Sequence, residues 1–356
     1  MPGAARAFDF CACQGSTSLG DFDLGDPSKR AGAKLAAGGC SPVFELQVPE
    51  LDGPEGGVLV FDSFRTRRVD DTGCGAGRVP TLVFRRNRAN TPVTILVKGS
   101  FTIEDGSVLS LNGGSGSSGS TGAAGAGGQG AAGGFAGGDA AYQKVTFTST
   151  GGSGIGPGGG LGSVASPFEP ARGGTFVGVP ELRPLLGGSG GGGGHSSSDI
   201  EGCSGGGGGG GGGALLVAAN DTITVNGDLS ADGGGGGRRN DVGGGGCSSE
   251  GSGGSGGAIR LIANVIQGSG SITAAGGGRP GFAGSERGNI GNPGRIRLEA
   301  ITNPFRVNGT NPVAVRAPAP GPLVNPVTPT VRITAVDGIP APANPLGHQG
   351  KVDPEL

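Results

Sequence analysis

The sequence contains few of the residues from which catalytic sites and aromatic binding surfaces are usually built. Its 356 residues include no tryptophan, one tyrosine, one methionine and two histidines. The formal net charge is −2, so the composition predicts no nucleic-acid partner. No apolar run approaches the ~18 residues of a membrane-spanning helix, which predicts that the chain has no transmembrane segment. No motif predicts a cofactor.

The amino terminus also lacks a recognisable export signal. Residues 1–10 read MPGAARAFDF, without the apolar stretch of about seven residues that such a signal needs. The sequence from Phe8 onward resembles the inside of a folded strand rather than a natural beginning. We therefore expect a misassigned start, and a protein that is extracellular or displayed on the cell surface.

Glycine is the residue in excess, since the chain has 86 glycines together with 25 prolines. The glycines follow no Gly-X-Y period with proline, which excludes a collagen triple helix. Hydrophobic residues make up 34% of the chain and many of them are alanine, so we expect only a thin apolar core.

Short apolar stretches recur along the chain, and most of them run into glycine. Two clear copies begin at Leu215 and Ile259, a related copy begins at Ile95, and a fourth at Ile296 lacks the glycine that follows the others. Apolar residues alternate with period two within a copy, as on one face of a strand. Strands this short bury an apolar face only by stacking on neighbours. The sequence therefore predicts an all-β chain, a parallel β-helix or β-solenoid, rather than a β-sandwich or a disordered chain.

The glycine tracts follow each copy at the same position, so we expect them to leave one corner of the solenoid as long loops. The longest, residues 205–213, consists of nine consecutive glycines. Glycine loses the most backbone freedom when it becomes ordered, which favours mobile and partly disordered loops. The alternative is that the tracts pack side by side as extended helices with three residues per turn, which only residues without a Cβ allow.

Composition divides the chain into three parts. Residues 1–55 form an irregular N-terminal segment that contains cysteines, and residues 56–316 form the β-solenoid with its glycine-rich insertions. Residues 317–356 form a proline-rich linker. The apolar run 331–336, followed by Asp337-Gly338, predicts the start of another β domain that is cut off.

Six cysteines indicate an oxidising compartment. Cys203 and Cys247 occupy similar places in two successive glycine excursions, and a disulfide between them would close a long loop. N-terminal disulfides are expected among the other four, Cys11, Cys13, Cys40 and Cys74. Metal binding is the alternative, but the N-terminal Cys-Ala-Cys lacks Cys-x₂-Cys spacing, and the two histidines, His195 and His348, lie in flexible contexts.

Motifs that could carry chemistry are weak. Residues 195–199 contain histidine, serine and aspartate, but a catalytic triad needs positions held by a rigid fold, and this run lies in a glycine-rich loop. The run 154–159 approaches a nucleotide loop yet lacks the helix that should follow it. A calcium-binding repeat needs a recurring Gly-Gly-x-Gly-x-Asp spacing, which Asp232 and Asp241 do not provide. The sequence therefore predicts no catalytic, metal-binding or cofactor-binding residue.

One basic cluster stands out near the start of the predicted solenoid. It consists of six arginines, Arg65, Arg67, Arg68, Arg85, Arg86 and Arg88. Arginines on a solvated strand face explain this cluster, with an anion site as the alternative. Asp70 and Asp71 next to it complete the only charge constellation that an enzyme could use.

Residues 253–263, followed by 268–278, resemble glycine-rich exported proteins of environmental bacteria. The chain is similar, more distantly, to haemagglutinin-type and autotransporter β-helical passengers. In composition it is similar to the mycobacterial PE-PGRS proteins, although their N-terminal helical domain is absent. The resemblance covers about residues 93–316. It implies a surface or secreted location and adhesion, with no catalytic residues to carry over.

Two classes of function are consistent with these features. The first is a non-enzymatic secreted or cell-surface protein, structural or adhesive, that displays glycine-rich loops to cell-surface glycans or matrix. The second is a polysaccharide-acting enzyme, a lyase or hydrolase, built on a β-helix. Sugar-binding sites usually contain aromatic rings for stacking, and Tyr142 is the only tyrosine beside 14 phenylalanines. The first class is therefore favoured.

Overall fold

A computed structural model describes residues 9–13, 16–38, 40–53, 56–70, 77–142, 149–165, 167–196, 202–241, 247–278, 288–306, 309–321, 323, 335–336 and 339–340. Several residues singled out in the sequence lie outside these ranges, namely Phe8, Asp71, Cys74, Asp199, Asp337, Gly338 and His348.

The regular secondary structure is almost entirely β. The strands are β1 Asp21–Asp23, β2 Lys34–Ala37, β3 Val43–Gln47, β4 Val58–Phe61, β5 Ser63–Thr66, β6 Thr81–Arg85, β7 Val93–Val97, β8 Phe101–Ile103, β9 Val108–Ser110, β10 Ala214–Ala219, β11 Thr222–Val225, β12 Asp228–Ser230, β13 Ala258–Gln267, β14 Ser271–Thr273, β15 Arg295–Thr302, β16 Thr310–Asn311, β17 Val315–Ala317, β18 Ala335–Val336 and β19 Ile339–Pro340. Helical structure in the described ranges is limited to a 3₁₀ turn at Pro27–Lys29, and none of it could traverse a bilayer.

The strands form two large sheets and one small pair. The larger sheet follows the path β1-β5-β8-β11-β13-β10-β7-β4, with β15 beside β13 and β17 beside β15. The smaller sheet follows β16-β14-β12-β9-β6-β3-β2, and its β2–β3 pairing is antiparallel whereas its other pairings are parallel. Strands β18 and β19 pair with each other on either side of residues 337–338. Three strands, β1 to β3, fall within the segment that the sequence analysis treats as irregular.

The prediction of a β-helix or β-solenoid, with partly disordered glycine loops leaving one corner, is wrong. The eight-strand path of the larger sheet turns into a nearly closed, barrel-like parallel sheet. Successive turns of the chain are also too unequal for a stack of equivalent coils, because β9 ends at Ser110 and β10 begins only at Ala214. The all-β, parallel character of the sheets is the part of the expectation that the structure retains.

The sequence copies lie side by side in the larger sheet. Leu215 pairs with Ile259, which in turn pairs with Ile296. The copy that starts at Ile95 is displaced, since Ile95 pairs with Val217 instead of Leu215. A displacement of two residues leaves the same side chains on the inward face, because side chains alternate with period two along a strand. All five side chains are buried.

The apolar core changes from aromatic to aliphatic along adjacent strands. The rings of Phe22, Phe64 and Phe101 stack on β1, β5 and β8, with centroid separations of 4.4 and 4.6 Å. Ile223 on β11 and Ile266 on β13 continue the same row in register. Most of the aromatic rings thus lie at the amino-terminal end of the core, and smaller side chains fill the rest apart from Phe305.

The glycine-rich segments form a bundle of extended chains that pack side by side. Every amide of residues 205–213 donates a hydrogen bond to a neighbouring segment at 2.8–3.1 Å. Amides 205, 208 and 211 donate to segment 135–141, amides 206, 209 and 212 to segment 249–255, and amides 207, 210 and 213 to segment 111–117. This period of three is that of a polyproline II helix, which makes no hydrogen bonds within itself.

Segment 205–213 is enclosed by neighbours on all sides. Its carbonyl oxygens accept hydrogen bonds from three further segments, 125–131, 188–194 and 234–237. Six neighbours around one segment correspond to a hexagonal array. In such an array the backbone donors and acceptors of a segment find their partners in the surrounding segments. The adjacent segments 188–196 and 249–257 are likewise buried along their whole length.

The expectation that residues 205–213 form a mobile loop is therefore wrong, and lateral packing is what the structure contains. A Cβ built on any of these nine glycines would lie within 3.0 Å of a backbone oxygen of a neighbouring segment. Side chains would push the segments apart and break their hydrogen bonds. The conformational entropy lost when glycine becomes ordered is offset by close contact between segments and by one intersegment hydrogen bond per amide.

Candidate functional site

The two cysteines of the glycine-rich part are linked by a disulfide. Cys203 and Cys247 have Cα atoms 5.9 Å apart and a sequence separation of 44 residues. Each precedes a central segment of the bundle, 205–213 or 249–257, and these two segments are hydrogen-bonded neighbours. In the chain-entropy model a cross-link of this length stabilises the fold by about 4 kcal/mol, because it restricts the unfolded chain.

A second disulfide joins Cys11 and Cys13 near the amino terminus. Asp9 Oδ1 accepts hydrogen bonds from the Cys13 amide and from Asn220 Nδ2 at 3.2 and 3.1 Å. Within the described ranges, Asp9, Cys11 and Cys13 are the one group of three potential metal ligands. A disulfide sulfur is not the thiolate that a metal requires, so this group fastens the amino-terminal segment to the sheet. Cys40 is also disulfide-bonded.

His195 pairs with a serine that the sequence does not single out. Its Nδ1 lies 2.7 Å from Oγ of Ser163, and that hydroxyl donates a hydrogen bond of 2.8 Å to the carbonyl of Glu169. Both side chains are buried, and the ring of Phe168 lies edge-on to the imidazole at 5.7 Å. The 32-residue separation of Ser163 and His195 gives no local signal in the sequence.

The Ser163–His195 pair is not arranged as a nucleophile and its general base. A hydroxyl has one proton, and here it is directed at the Glu169 carbonyl, so Ser163 accepts from the Nδ1–H of His195. A nucleophilic serine would instead donate its proton to the histidine. The pair closes the turn between residues 163 and 169. Of the predicted run 195–199, only His195 and Ser196 are described, and Ser196 Oγ donates to the carbonyl of Cys203.

The free energy of unfolding is expected to fall as the pH drops below about 6.5, because burial lowers the pKa of His195. The nearby Arg239 lowers this pKa further, whereas Asp241 opposes the shift. The unfolded chain takes up a proton at about the ordinary histidine value, but the folded protein does so only at lower pH. The contribution of neutral His195 is therefore complete above that value and is lost as the pH falls below it, at no more than about 1.4 kcal/mol per pH unit.

Urea denaturation between about pH 5 and pH 8 measures this effect. The control is His195→Asn, which keeps a polar atom near the Nδ1 position but does not titrate. The stability of the variant should depend less on pH than that of the wild type. Equal slopes in the two proteins would show that His195 does not cause the pH dependence.

Five of the six arginines of the basic cluster make contacts within the protein, and the sixth, Arg85, is exposed. Three of the five form ion pairs and two donate to neutral oxygens: Arg65–Glu104, Arg67–Asp23, Arg88–Asp52, Arg68–Gly77 and Arg86–Gln129. Asp70 Oδ1 accepts a hydrogen bond from the Gly77 amide. The paired arginines and Asp70 hold turns and strands together, and Arg67, Arg68 and Asp70 line one cleft with Glu104 and Asp105.

The aspartates considered for calcium also serve the bundle. Asp232 accepts hydrogen bonds from Thr273 Oγ1 at 2.9 Å and from the Ala275 amide at 2.6 Å. Asp241 pairs with Arg239 at 2.8 Å and accepts from Ser248 Oγ at 2.7 Å. Each carboxylate therefore connects neighbouring segments of the bundle.

A buried ion pair lies on the outer face of the larger sheet. Arg260 Nε and Glu299 Oε1 are 2.8 Å apart, and both side chains are 1% exposed. Glu299 also accepts hydrogen bonds from Arg297 Nε at 2.7 Å and from the Gly321 amide at 2.6 Å. Burial alone would raise the pKa of Glu299, but these donors hold it below its usual value. A sequence signal for this ion pair exists, since the aligned copies that start at Ile259 and Ile296 contain the opposite charges of Arg260 and Glu299.

A cleft of about 380 Å³ opens beside this ion pair. Its floor is one row of outward side chains in register on β4, β7, β10 and β13, namely Val58, Thr94, Leu216 and Arg260. Its walls contain Arg183 but are largely aliphatic, and include Leu51, Pro92, Leu182, Pro184, Leu185 and Leu323. No local sequence pattern predicts this cleft, because its residues come from parts of the chain that are far apart.

Comparisons of the chain with protein-family models, with curated proteins and with solved structures found no match.

Proposed function

We propose that this protein is a non-enzymatic structural or adhesive protein that is secreted or displayed on the cell surface. The observation that carries the proposal is the glycine bundle, whose central segments are buried and cross-linked to each other through backbone hydrogen bonds. Backbone hydrogen bonds and close glycine packing hold such a body together, with few ionisable side chains such as Glu250 buried inside it. The Cys203–Cys247 disulfide between two of its segments favours an oxidising location.

The surface of the bundle offers a regular row of polar groups for adhesion. Asn112, Ser115 and Ser118 are exposed at every third position of one outer segment, and exposed Thr121 follows in the turn between Ser120 and Ala123. In a polyproline II chain this spacing is roughly 9 Å. Asn112 Oδ1 and Ser118 Oγ also accept hydrogen bonds from amides of the neighbouring segment, at 2.7 and 3.3 Å, so the row is held in place. Hydroxyl and amide groups on a rigid row suit cell-surface glycans or matrix as partners.

A polysaccharide-acting enzyme is the alternative that has to be tested directly. Asp70 and the arginines Arg65, Arg67 and Arg68 make internal contacts, and the Ser163 hydroxyl is directed away from His195. These contacts support the non-enzymatic proposal, because lyases and hydrolases need an acid and a base that are available to the substrate.

The experiment compares binding with turnover on one panel of polysaccharides. We expect retention on immobilised glycans or matrix and no release of reducing or unsaturated ends. The Ser115→Arg variant should weaken retention. Ser153→Arg is the control, because Ser153 is exposed on a bundle segment that 125–131 and 134–141 separate from the row. Product release by the wild type would overturn the non-enzymatic proposal, and equal retention of both variants would exclude the row as the adhesive surface.

A further inference from the structure

The cleft beside Arg260 has the chemistry of a ligand site. We propose that it binds one aliphatic chain of a neutral amphiphile, laid along the row Val58–Thr94–Leu216 with its polar head towards solvent. Four adjacent strands separated by ~4.8 Å make a floor about 14 Å long. This proposal is independent of the adhesive row, which lies on the glycine bundle.

The charged groups of the cleft favour a neutral ligand over an ionic one. Arg183 and Arg260 are the charged residues of the lining, and both interact with other groups of the protein. Nε and Nη2 of Arg260 donate to Glu299 at 2.8 and 3.3 Å. Nη1 of Arg260 donates to the carbonyl of Leu323 at 2.9 Å. The guanidinium is thus neutralised within the protein, and a ligand carboxylate would have to displace Glu299, which has two further donors. A second charge placed in this aliphatic surrounding would be poorly solvated.

The composition of the cleft also argues against a peptide or a sugar. The floor is the face of a sheet, and the strands β7, β10 and β13 have hydrogen-bonded partners on both edges. A bound peptide would therefore find few partners for its own amides, which is costly in an apolar cleft. The described lining contains no aromatic ring on which a sugar could stack. A hydrocarbon chain has neither requirement, since it has no amides to satisfy and needs no ring on which to stack.

The walls of the cleft are built before any ligand binds. Leu182 is 1% exposed, and it packs with Ala214 and Ala258 although its own φ is +50°. On the opposite side Gly57 has φ of +80°, and a Cβ there would lie 2.9 Å from the Leu51 side chain. Both walls are therefore positioned by packing and backbone conformation, which reduces the entropy that a ligand would lose on binding.

The test uses Nile red as a neutral fluorescent probe and compares 1-decanol with sodium decanoate as competitors on the full chain. We expect saturable Nile red binding that 1-decanol displaces at least about tenfold more effectively than decanoate, a difference of ~1.4 kcal/mol. Thr94→Phe fills the floor and should weaken binding by at least about tenfold. Thr224→Phe is the matched control, because Thr224 is a half-buried outward residue on β11 of the same sheet.

Val58→Arg keeps the test decisive if Thr94→Phe does not fold. This half-buried residue at the edge of the floor would introduce an unpaired cation, so decanoate should become the better competitor. The proposal is overturned if the wild type shows no saturable binding or if both competitors act equally. It is also overturned if a folded Thr94→Phe protein binds like the Thr224→Phe control.

Discussion

Replacing Gly209 by alanine is expected to destabilise the protein by more than about 3 kcal/mol, the upper part of the range for overpacked interiors. Gly209 lies at the centre of the bundle, where its amide donates to the Ser252 carbonyl at 2.8 Å and its own carbonyl accepts from the Gly191 amide at 2.9 Å. An added Cβ would lie against the carbonyl oxygen of Gly234, well inside the 3.0 Å limit of real Cβ contacts. The obstacle is backbone, so no side chain can rotate away, and at least two segments must separate.

Gly235→Ala is the matched control for this prediction. A Cβ on Gly235 would meet its nearest atom, the oxygen of Gly278, at 3.4 Å, which is an ordinary contact. Both variants reduce the freedom of the unfolded chain equally, so that effect, about 0.4–1 kcal/mol in favour of folding, cancels in the comparison. Urea denaturation gives the two free energies of unfolding, and amide exchange of residues 205–213 gives an independent measure of packing. Similar stabilities for Gly209→Ala and Gly235→Ala would refute the tightly packed bundle.

Glu299→Gln is expected to cost about 3–5 kcal/mol, the range found when one partner of a buried ion pair is removed. The glutamine would leave the cation of Arg260, which is 1% exposed, without its carboxylate. It would also place amide hydrogens against the arginine donors that now point at two carboxylate oxygens. Because Glu299 also accepts from Gly321, and Arg260 donates to Leu323, the substitution should loosen that segment as well.

Glu104→Gln provides the comparison, since it removes the same charge from an exposed pair. The side chains of Arg65 and Glu104 are 52% and 33% exposed, and such pairs contribute less than about 1 kcal/mol. Thermal and urea denaturation of both variants at neutral pH measure the difference. If Glu299→Gln were as mild as Glu104→Gln, water or a rearranged neighbour would have to solvate Arg260, and the ion pair would not hold the outer face of the sheet.

The strands and their inward side chains could be predicted because their signal is local. Period-two alternation in the copy that starts at Leu215 identifies its buried face, and the resemblance between copies identifies their neighbours in the sheet. The nearly closed larger sheet could not be predicted in this way. It depends on β13, whose first half pairs with β10 and whose second half pairs with β11. Period-two alternation does not show that two different strands pair in succession along one edge of β13.

The sequence by itself determined the β content, the inward faces of the strands and the residues able to form disulfides, since these follow from side chains and their spacing. Only the tertiary structure decided whether the glycine-rich segments form loops or a packed bundle. Nine identical residues carry no information about which segments they pack against. The hydrogen-bond partners of residues 205–213 come from six segments between residues 111 and 255. The tract is ordered because those six segments surround it. Without them the same nine glycines would stay disordered, because glycine has the highest backbone conformational entropy. Ser163–His195 and Arg260–Glu299 were decided in the same way, by segments that meet only in the folded chain.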